Sequence, residues 1–114
     1  MATGMQGETI WAANAASTNV ALFSFAKMTS TGFDLAGSGD VAVGVFIEVN
    51  GTSGPASVQL DRVGKITIGA SPLSAGVRVQ SDASGHAVAY SAGHCPGILL
   101  AGGNSGDIVP IKLL

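Results

Sequence analysis

The chain ends with GDIVPIKLL, residues 106–114, in which a Gly-Asp turn is followed by a mostly apolar run typical of a β-strand. The last third of the chain carries further turn residues at Gly76, at 82–85 and at 102–107. Short apolar runs separated by Gly-bearing turns at this spacing are typical of small β-barrels and sandwiches. The stretch therefore predicts an all-β domain whose C-terminal segment lies in a sheet.

Strand-like segments continue upstream, and none has the period of a helix over ten residues. The segments are 20–28, 33–35, 41–49, 57–63, 65–68, 77–80, 86–90, 97–100 and 107–114. Four alternating apolar residues are expected to point inward: Val58, Leu60, Ile66 and Ile68. Phe23 and Phe25 are expected to share one strand face. Because 65–68 continues the alternation of 57–63 and 33–35 is only a short element, the segments amount to seven or eight strands. They predict an all-β fold, a small β-barrel or a compact two-layer β-sandwich with an extended N-terminal arm.

The first 19 residues are mostly small and polar and show neither strand alternation nor a long helical period. We therefore expect an N-terminal arm over residues 1–19 and a single β-domain over residues 20–114. Met5, Ile10 and Trp11 are the large apolar residues of this arm. Because large aromatic side chains anchor interfaces, we interpret Trp11 as a contact to a partner rather than to its own barrel.

Charged residues make up only 11% of the chain, and seven Asp or Glu outnumber five Lys or Arg. Because the five cations are scattered singly along the sequence, we expect no basic stripe and no direct binding of nucleic acid. The longest apolar run, residues 41–47, is far shorter than the roughly 20 residues of a membrane-spanning helix, so we expect no membrane partner. A single cysteine and an N-terminus without a basic region predict synthesis in a reducing cytoplasm.

Few residues are suited to catalysis, and structural interpretations account for them. Residues 93–97, GHCPG, share the G-x-C-x-G pattern of a nucleophile elbow, but a loop that leads into a strand is the wrong context for one. His86, His94 and Cys95 lack the paired spacing of a zinc site. We expect Cys95 to be buried and the histidines to lie at the surface or in turns. No enzymatic activity, cofactor or metal is expected.

Turn formation is the expected role of the aspartates. Asp34, Asp40, Asp61, Asp82 and Asp107 each lie beside Gly, Ser or a strand boundary. Aspartate side chains at such positions accept hydrogen bonds from backbone N–H groups. By the same logic, residues 50–52, NGT, predict a hairpin turn rather than a glycosylation site.

The order of these turns and strands resembles a known family. The pattern consists of GD at 39–40 before AVGV at 42–45, VGK at 63–65, LSAGV at 73–77, SDASGHA at 81–87, PGI at 96–98 and GDIVPI at 106–111. It is similar to the small β-barrel type of capsid-decoration, or cement, proteins of tailed bacteriophages. The similarity covers residues 20–114 and rests on Gly, Asp and alternating Val or Ile positions.

This resemblance implies a non-enzymatic virion protein on the outer surface of the capsid, where it clamps neighbouring subunits of the major capsid protein and stabilises the shell. It further implies a homotrimer. Contact with the capsid through Met5, Ile10 and Trp11 is our interpretation of the arm. Two alternatives remain open: a structural component of a phage tail or baseplate, and a small carbohydrate-binding β-domain that would use Trp11 and Tyr90.

Overall fold

A computed structural model describes residues 9–13, 22–30, 32–49, 55–60, 62–70 and 72–114. These ranges contain ten β-strands. The strands are β1 (Thr9–Ala13), β2 (Phe25–Thr29), β3 (Gly32–Leu35), β4 (Gly44–Val49), β5 (Pro55–Gln59), β6 (Arg62–Thr67), β7 (Arg78–Ser81), β8 (Ala87–Ala89), β9 (Gly97–Leu99) and β10 (Ile108–Leu113). The all-β fold class predicted from the sequence is confirmed.

The strands form two five-stranded antiparallel sheets. The first sheet has the order β1-β5-β4-β2-β3, and the second has the order β6-β10-β9-β7-β8. The second sheet curls until its two edge strands meet, because Ile68, just after β6, forms a parallel bridge with Ala87 of β8. The Gly69 N–H donates to the Ala87 carbonyl over 2.8 Å at the same point. In the first sheet, the edge strands β1 and β3 also approach one another. Both sheets are therefore strongly curved, as in small barrels.

The main core joins the two sheets. Phe25 of β2 and Val45 of β4 pack together with residues of the second sheet such as Ile66, Leu99 and Ile111, and all five are fully buried. A second, smaller cluster belongs to the first sheet alone and contains Ala26, Phe33, Phe46 and Val58. Because neighbouring strand residues point to opposite faces, Phe25 joins the main core while Ala26 joins the smaller cluster.

Backbone hydrogen bonds also connect the sheets. The Phe25 N–H donates to the Gly85 carbonyl over 2.7 Å, and the Thr67 N–H donates to the Phe23 carbonyl over 2.8 Å. The buried Ser81 hydroxyl donates to the Ala36 carbonyl over 3.3 Å. These bonds satisfy polar groups that would be costly to bury unpaired. They fix where the start of β2 lies against the second sheet.

Several features agree with the sequence-based expectations. The hairpin predicted for residues 77–90 is present as β7 and β8, and Val58, Ile66 and Ile68 are fully buried while Leu60 is partly buried. Four of the five aspartates accept hydrogen bonds from backbone N–H groups. The donors are Leu35 for Asp34, Gly37 for Asp40, Ser84 and His86 for Asp82, and Asn104 for Asp107. Asp61 and residues 50–52 lie outside the described residues.

Two strand predictions were wrong at their ends. β2 begins at Phe25 instead of in the segment from residue 20, because Phe23 lies in a turn with φ of 60° and cannot share a strand face with Phe25. The apolar run at 41–49 enters the sheet only at Gly44. A Cβ at Gly44 would collide with the Gln59 carbonyl oxygen and lie 2.8 Å from Val58 Cγ1, so the close approach of β5 to this point requires glycine.

The N-terminal region contains a strand that the sequence did not predict. Thr9–Ala13, in the middle of the expected arm, forms β1 and pairs antiparallel with β5 from Thr9 opposite Gln59 to Ala13 opposite Pro55. Backbone pairing holds this segment in the sheet without an alternating apolar pattern. Residues 1–8 and 14–21 are outside the described residues, so the division into an arm at 1–19 and a domain at 20–114 stays a prediction.

Asp40 closes the loop between β3 and β4. Its Oδ2 accepts the Gly37 N–H at 2.9 Å and the Lys27 ammonium at 3.3 Å. The backbone bond from Gly37, followed by the bond from Lys27, holds the pKa of the Asp40 carboxyl below its usual value. Since the side chains of Lys27 and Asp40 are 36% and 40% exposed, solvent screens this pair and limits its contribution to stability.

Replacing Gly44 tests the contact between β4 and β5. We expect Gly44→Ala to lower the free energy of unfolding by about 3 kcal/mol or more, since the new methyl group would overlap backbone atoms of Gln59. Gly106→Ala is the control: Gly106 has φ of 92° but open space around it, so about 1 kcal/mol is expected. Urea unfolding measures both values, and equal effects would contradict the steric explanation.

Asp40→Asn tests the loop carboxylate. Because the folded state lowers the pKa of Asp40, its carboxylate stabilises the fold above the unfolded-state pKa, and this contribution disappears as the pH falls through the folded-state pKa. We expect the variant to be less stable than the parent at pH 7 by at most about 1 kcal/mol. The difference should shrink below about pH 4. Thermal unfolding across this pH range measures it, and a constant difference would contradict the assignment.

Candidate docking surface

An open groove of about 300 Å³ lies where the two sheets meet. Its lining is mostly apolar and includes Phe23, Ile47, Gln59, Val63, Lys65 and Pro110. We call it the seam groove. Phe23 and Ile47 come from the first half of the fold, whereas Val63, Lys65 and Pro110 belong to the second sheet. The groove therefore exists only because the two sheets are joined at this edge.

Phe23 is held at the seam by its backbone. Its N–H donates to the Phe46 carbonyl of the first sheet over 2.7 Å, and its carbonyl accepts the Thr67 N–H of the second sheet over 2.8 Å. These two bonds accompany a φ of 60°, which a bulky residue rarely adopts. The tertiary structure thus imposes a strained conformation that keeps Phe23 in the groove lining and out of the core.

A second strained residue lies beside the same groove. Arg62 begins β6 with φ of 67°, directly before the groove residue Val63. The Gln59 amide donates to the Val63 carbonyl over 2.8 Å and so bridges the short connection from β5 to β6. Gly64 allows β6 to pass close to β4, since a Cβ there would lie 3.1 Å from Val45 Cγ2. The chain therefore turns sharply from one sheet into the other at the groove.

The rim of the seam groove exposes apolar side chains. Val63 is 55% exposed and Ile47 is 36% exposed, and Ile108 on the neighbouring strand β10 is 51% exposed. Apolar residues that are exposed together, rather than singly, mark surfaces for contact with another molecule. The sequence did not reveal this surface, because its residues come from positions 23 to 110 and become neighbours only in the folded chain.

Two of the three residues considered for metal binding or catalysis have side chains that contact backbone carbonyls. His94 Nε2 lies 3.1 Å from the Ala42 carbonyl oxygen, and the Cys95 thiol donates to the Gly97 carbonyl over 3.5 Å. Cys95 is half-buried, which is less than the burial expected of a free cysteine. His86 is half-buried beside the turn at Asp82. Within the described ranges, no group of three or more His, Cys, Asp or Glu residues could hold a metal ion.

The side chain of Tyr90, which a carbohydrate site would use, also makes contacts within the chain. Its hydroxyl donates to the Gly93 carbonyl over 3.0 Å, and the Arg78 guanidinium lies 5.6 Å from the ring centroid. This separation is typical of a cation–π contact, which covers one face of the ring. The described part of the chain contains no helix of the length and hydrophobicity required to cross a membrane.

The three residues predicted to contact a capsid are placed only in part. Ile10 lies opposite Val58 in the pairing of β1 with β5, and Trp11 lies opposite Ser57. Met5 is outside the described residues. The structure thus brings Ile10 and Trp11 into the first sheet, and their contact with a capsid stays a prediction.

Comparison with known proteins gives a structural likeness but no match by sequence family. No family model matches the chain, and no curated protein matches it. Among solved structures, the N base of head fiber gp8.5 of bacteriophage phi29 is similar to this chain with a TM-score of 0.74. The sequences are 12% identical, and the match covers 94% of this chain and 95% of the phi29 chain. The two proteins therefore share a fold over nearly their whole compared lengths.

The strain at Arg62 predicts an unusual response to glycine. A side chain in the left-handed region costs about 1 kcal/mol or more, so we expect Arg62→Gly to leave stability unchanged or raise it by up to about 1 kcal/mol. Lys65→Gly is the control, because Lys65 is exposed on the same strand without a positive φ. We expect this variant to lose roughly 0.5–1 kcal/mol of unfolding free energy. Chemical denaturation measures the unfolding free energy of both variants. Equal losses of stability in Arg62→Gly and Lys65→Gly would contradict backbone strain at Arg62.

Proposed function

We propose that this protein is a structural component of a tailed-phage virion and sits on the outside of the head. The observation that carries the proposal is the shared fold with the phi29 head fiber N base, which extends over 94% of this chain. The turn and strand order that resembles capsid-decoration proteins supports the same assignment from the sequence. Synthesis would take place in the host cytoplasm, before assembly onto the particle.

In its finer form, the proposal is that the protein clamps neighbouring subunits of the major capsid protein and so stabilises the shell. The seam groove supports a docking role, because it presents Val63 and Ile47 at an open rim. Contact there would remove exposed apolar surface from water, which favours association. Only 11% of the residues are charged, which also suits a protein whose surface is partly covered in the assembly.

We further propose that the working form is a homotrimer. Three linked copies would dock cooperatively, because the first contact raises the effective concentration of the remaining ones. Weak contacts from each copy would then combine into slow release from the shell. Met5, Ile10 and Trp11 remain the proposed capsid contacts of the N-terminal region, although Ile10 and Trp11 would act from strand β1 instead of a free arm.

The proposed role is structural and not catalytic, without a cofactor, nucleic acid or membrane as partner. His94 and Cys95 interact with backbone carbonyls, and the engaged ring and hydroxyl of Tyr90 leave the carbohydrate-binding alternative little support. A second candidate follows from the phi29 neighbour, which is the base of a head fiber. In that case the protein would attach a further structure to the head, rather than strengthen the shell.

Electron cryo-microscopy of the parent particle tests the proposal directly. We expect density of this fold on the outer surface of the head, and particles lacking the protein are expected to lose resistance to heat and osmotic shock. Density on the head with unchanged resistance would favour the fiber-base role. Density confined to the tail or baseplate, or none on the particle, would contradict the assignment to the head.

A further inference from the structure

Three of the five Lys and Arg residues lie on the outer face of the second sheet, although they are far apart in the sequence. We call this surface the basic face and define it by six residues: Val63, Lys65, Arg78, Ile98, Pro110 and Lys112. Strand register brings them together. Lys65 lies opposite Pro110, Val63 lies opposite Lys112, and Ile98 lies between Lys112 and Arg78.

The outward orientation follows from burial along the strands. In β6, Gly64 and Ile66 are buried while Val63 and Lys65 are exposed, and β10 alternates in the same way with Lys112 exposed. Neighbouring strands are about 4.8 Å apart, so Lys112 and Arg78, two strands apart, lie roughly 10 Å from one another. Arg62, exposed at the start of β6, adds a fourth cation at the margin.

The described acidic residues of the second half of the chain lie outside the strands that form this face. The five strands of the second sheet contain four cations and no Asp or Glu. Asp82 and Asp107 lie in turns outside the strands, where their carboxylates accept backbone N–H groups. Among the described residues, the ion pair joins Lys27 of β2 to Asp40 of the loop between β3 and β4, and it involves none of the cations of the second sheet. Within the described part of the chain, no carboxylate forms an ion pair with a cation of the basic face, although the formal net charge of the protein is −2.

The apolar members of the basic face indicate what kind of partner it suits. Val63 is 55% exposed, and Val63, Lys65 and Pro110 also line the seam groove, so the two surfaces are continuous. Nucleic-acid sites concentrate many cations against a row of phosphates, whereas protein interfaces combine an apolar centre with a few charges. A second copy placed on the same face by twofold symmetry would oppose like charges, which is unfavourable.

We infer that the basic face, together with the seam groove, docks an acidic and partly apolar surface of the protein that forms the phage head. This inference rests on the proposed function and names the chemistry of the partner surface. The cations would orient the protein on the shell, and the apolar groove would exclude water at the centre of the contact.

The test uses parent-phage heads prepared without this protein and measures binding of the purified full chain by co-sedimentation. We expect Lys65→Gln combined with Lys112→Gln to weaken the apparent Kd roughly three- to thirtyfold at low salt. The loss should shrink as salt rises, since salt screens exposed charges. The matched control combines Ala75→Glu with Ala83→Glu at exposed turn positions outside the strands, and thus changes the net charge equally. Control binding should remain close to that of the parent.

The outcomes separate the inference from the proposed function. Thermal unfolding checks that the parent and the double Gln variant are both folded. Equal binding of the two would then overturn the inference that the basic face docks on the head, while the proposed function stands. Failure of the parent chain itself to bind heads would overturn the proposed function and this inference together. Equally tight, salt-dependent binding of the parent to duplex DNA, lost in the variant, would assign the face to nucleic acid and overturn the inference. An altered oligomeric state of the variant would assign it to contacts between copies, with the same consequence.

Discussion

The junction at Phe23–Phe25 is the constraint on which the rest of the molecule depends. Within three residues, the backbone hydrogen-bonds to Phe46 of the first sheet, to Thr67 of the second sheet and to Gly85 in the turn between β7 and β8, all at 2.7–2.8 Å. Phe25 is fully buried in the core that both sheets share. Each sheet is curved and small, and a sheet of this size needs a second layer to bury its apolar face. The junction provides that layer by fixing one sheet against the other.

The same junction creates the external surface that we assign to docking. Phe23 is kept out of the core because its two backbone bonds require a turn at that point, and its side chain consequently lines the seam groove. The chain crosses from the first sheet to the second at Arg62, and this crossing brings Val63 and Lys65 to the groove. Backbone strain at Phe23 and at Arg62 is tolerated because the surrounding sheet pairing fixes the backbone. The features that hold the sheets together therefore also shape the proposed docking surface.

A division of charge accompanies this architecture. Asp40, Asp82 and Asp107 lie in loops and turns, where their carboxylates accept backbone N–H groups, whereas cations of the second sheet lie on strands and face outward. Since these aspartates stabilise the local backbone, the fold places their negative charge in loops and leaves positive charge on one sheet face. A protein of low net charge thus has one positively charged face, which suits oriented attachment to a larger assembly.

The sequence alone determined the fold class, the hairpin at 77–90 and the role of four aspartates, because alternation and turn chemistry are local properties. It also placed Val58, Ile66 and Ile68 in the core. Only the tertiary structure decided that Phe23 leaves the strand, that Thr9–Ala13 enters a sheet, and that Lys65, Arg78 and Lys112 share one face. Cations that are scattered singly in the sequence become neighbours through strand register. Register and sheet order depend on contacts between distant residues, which a local pattern does not specify.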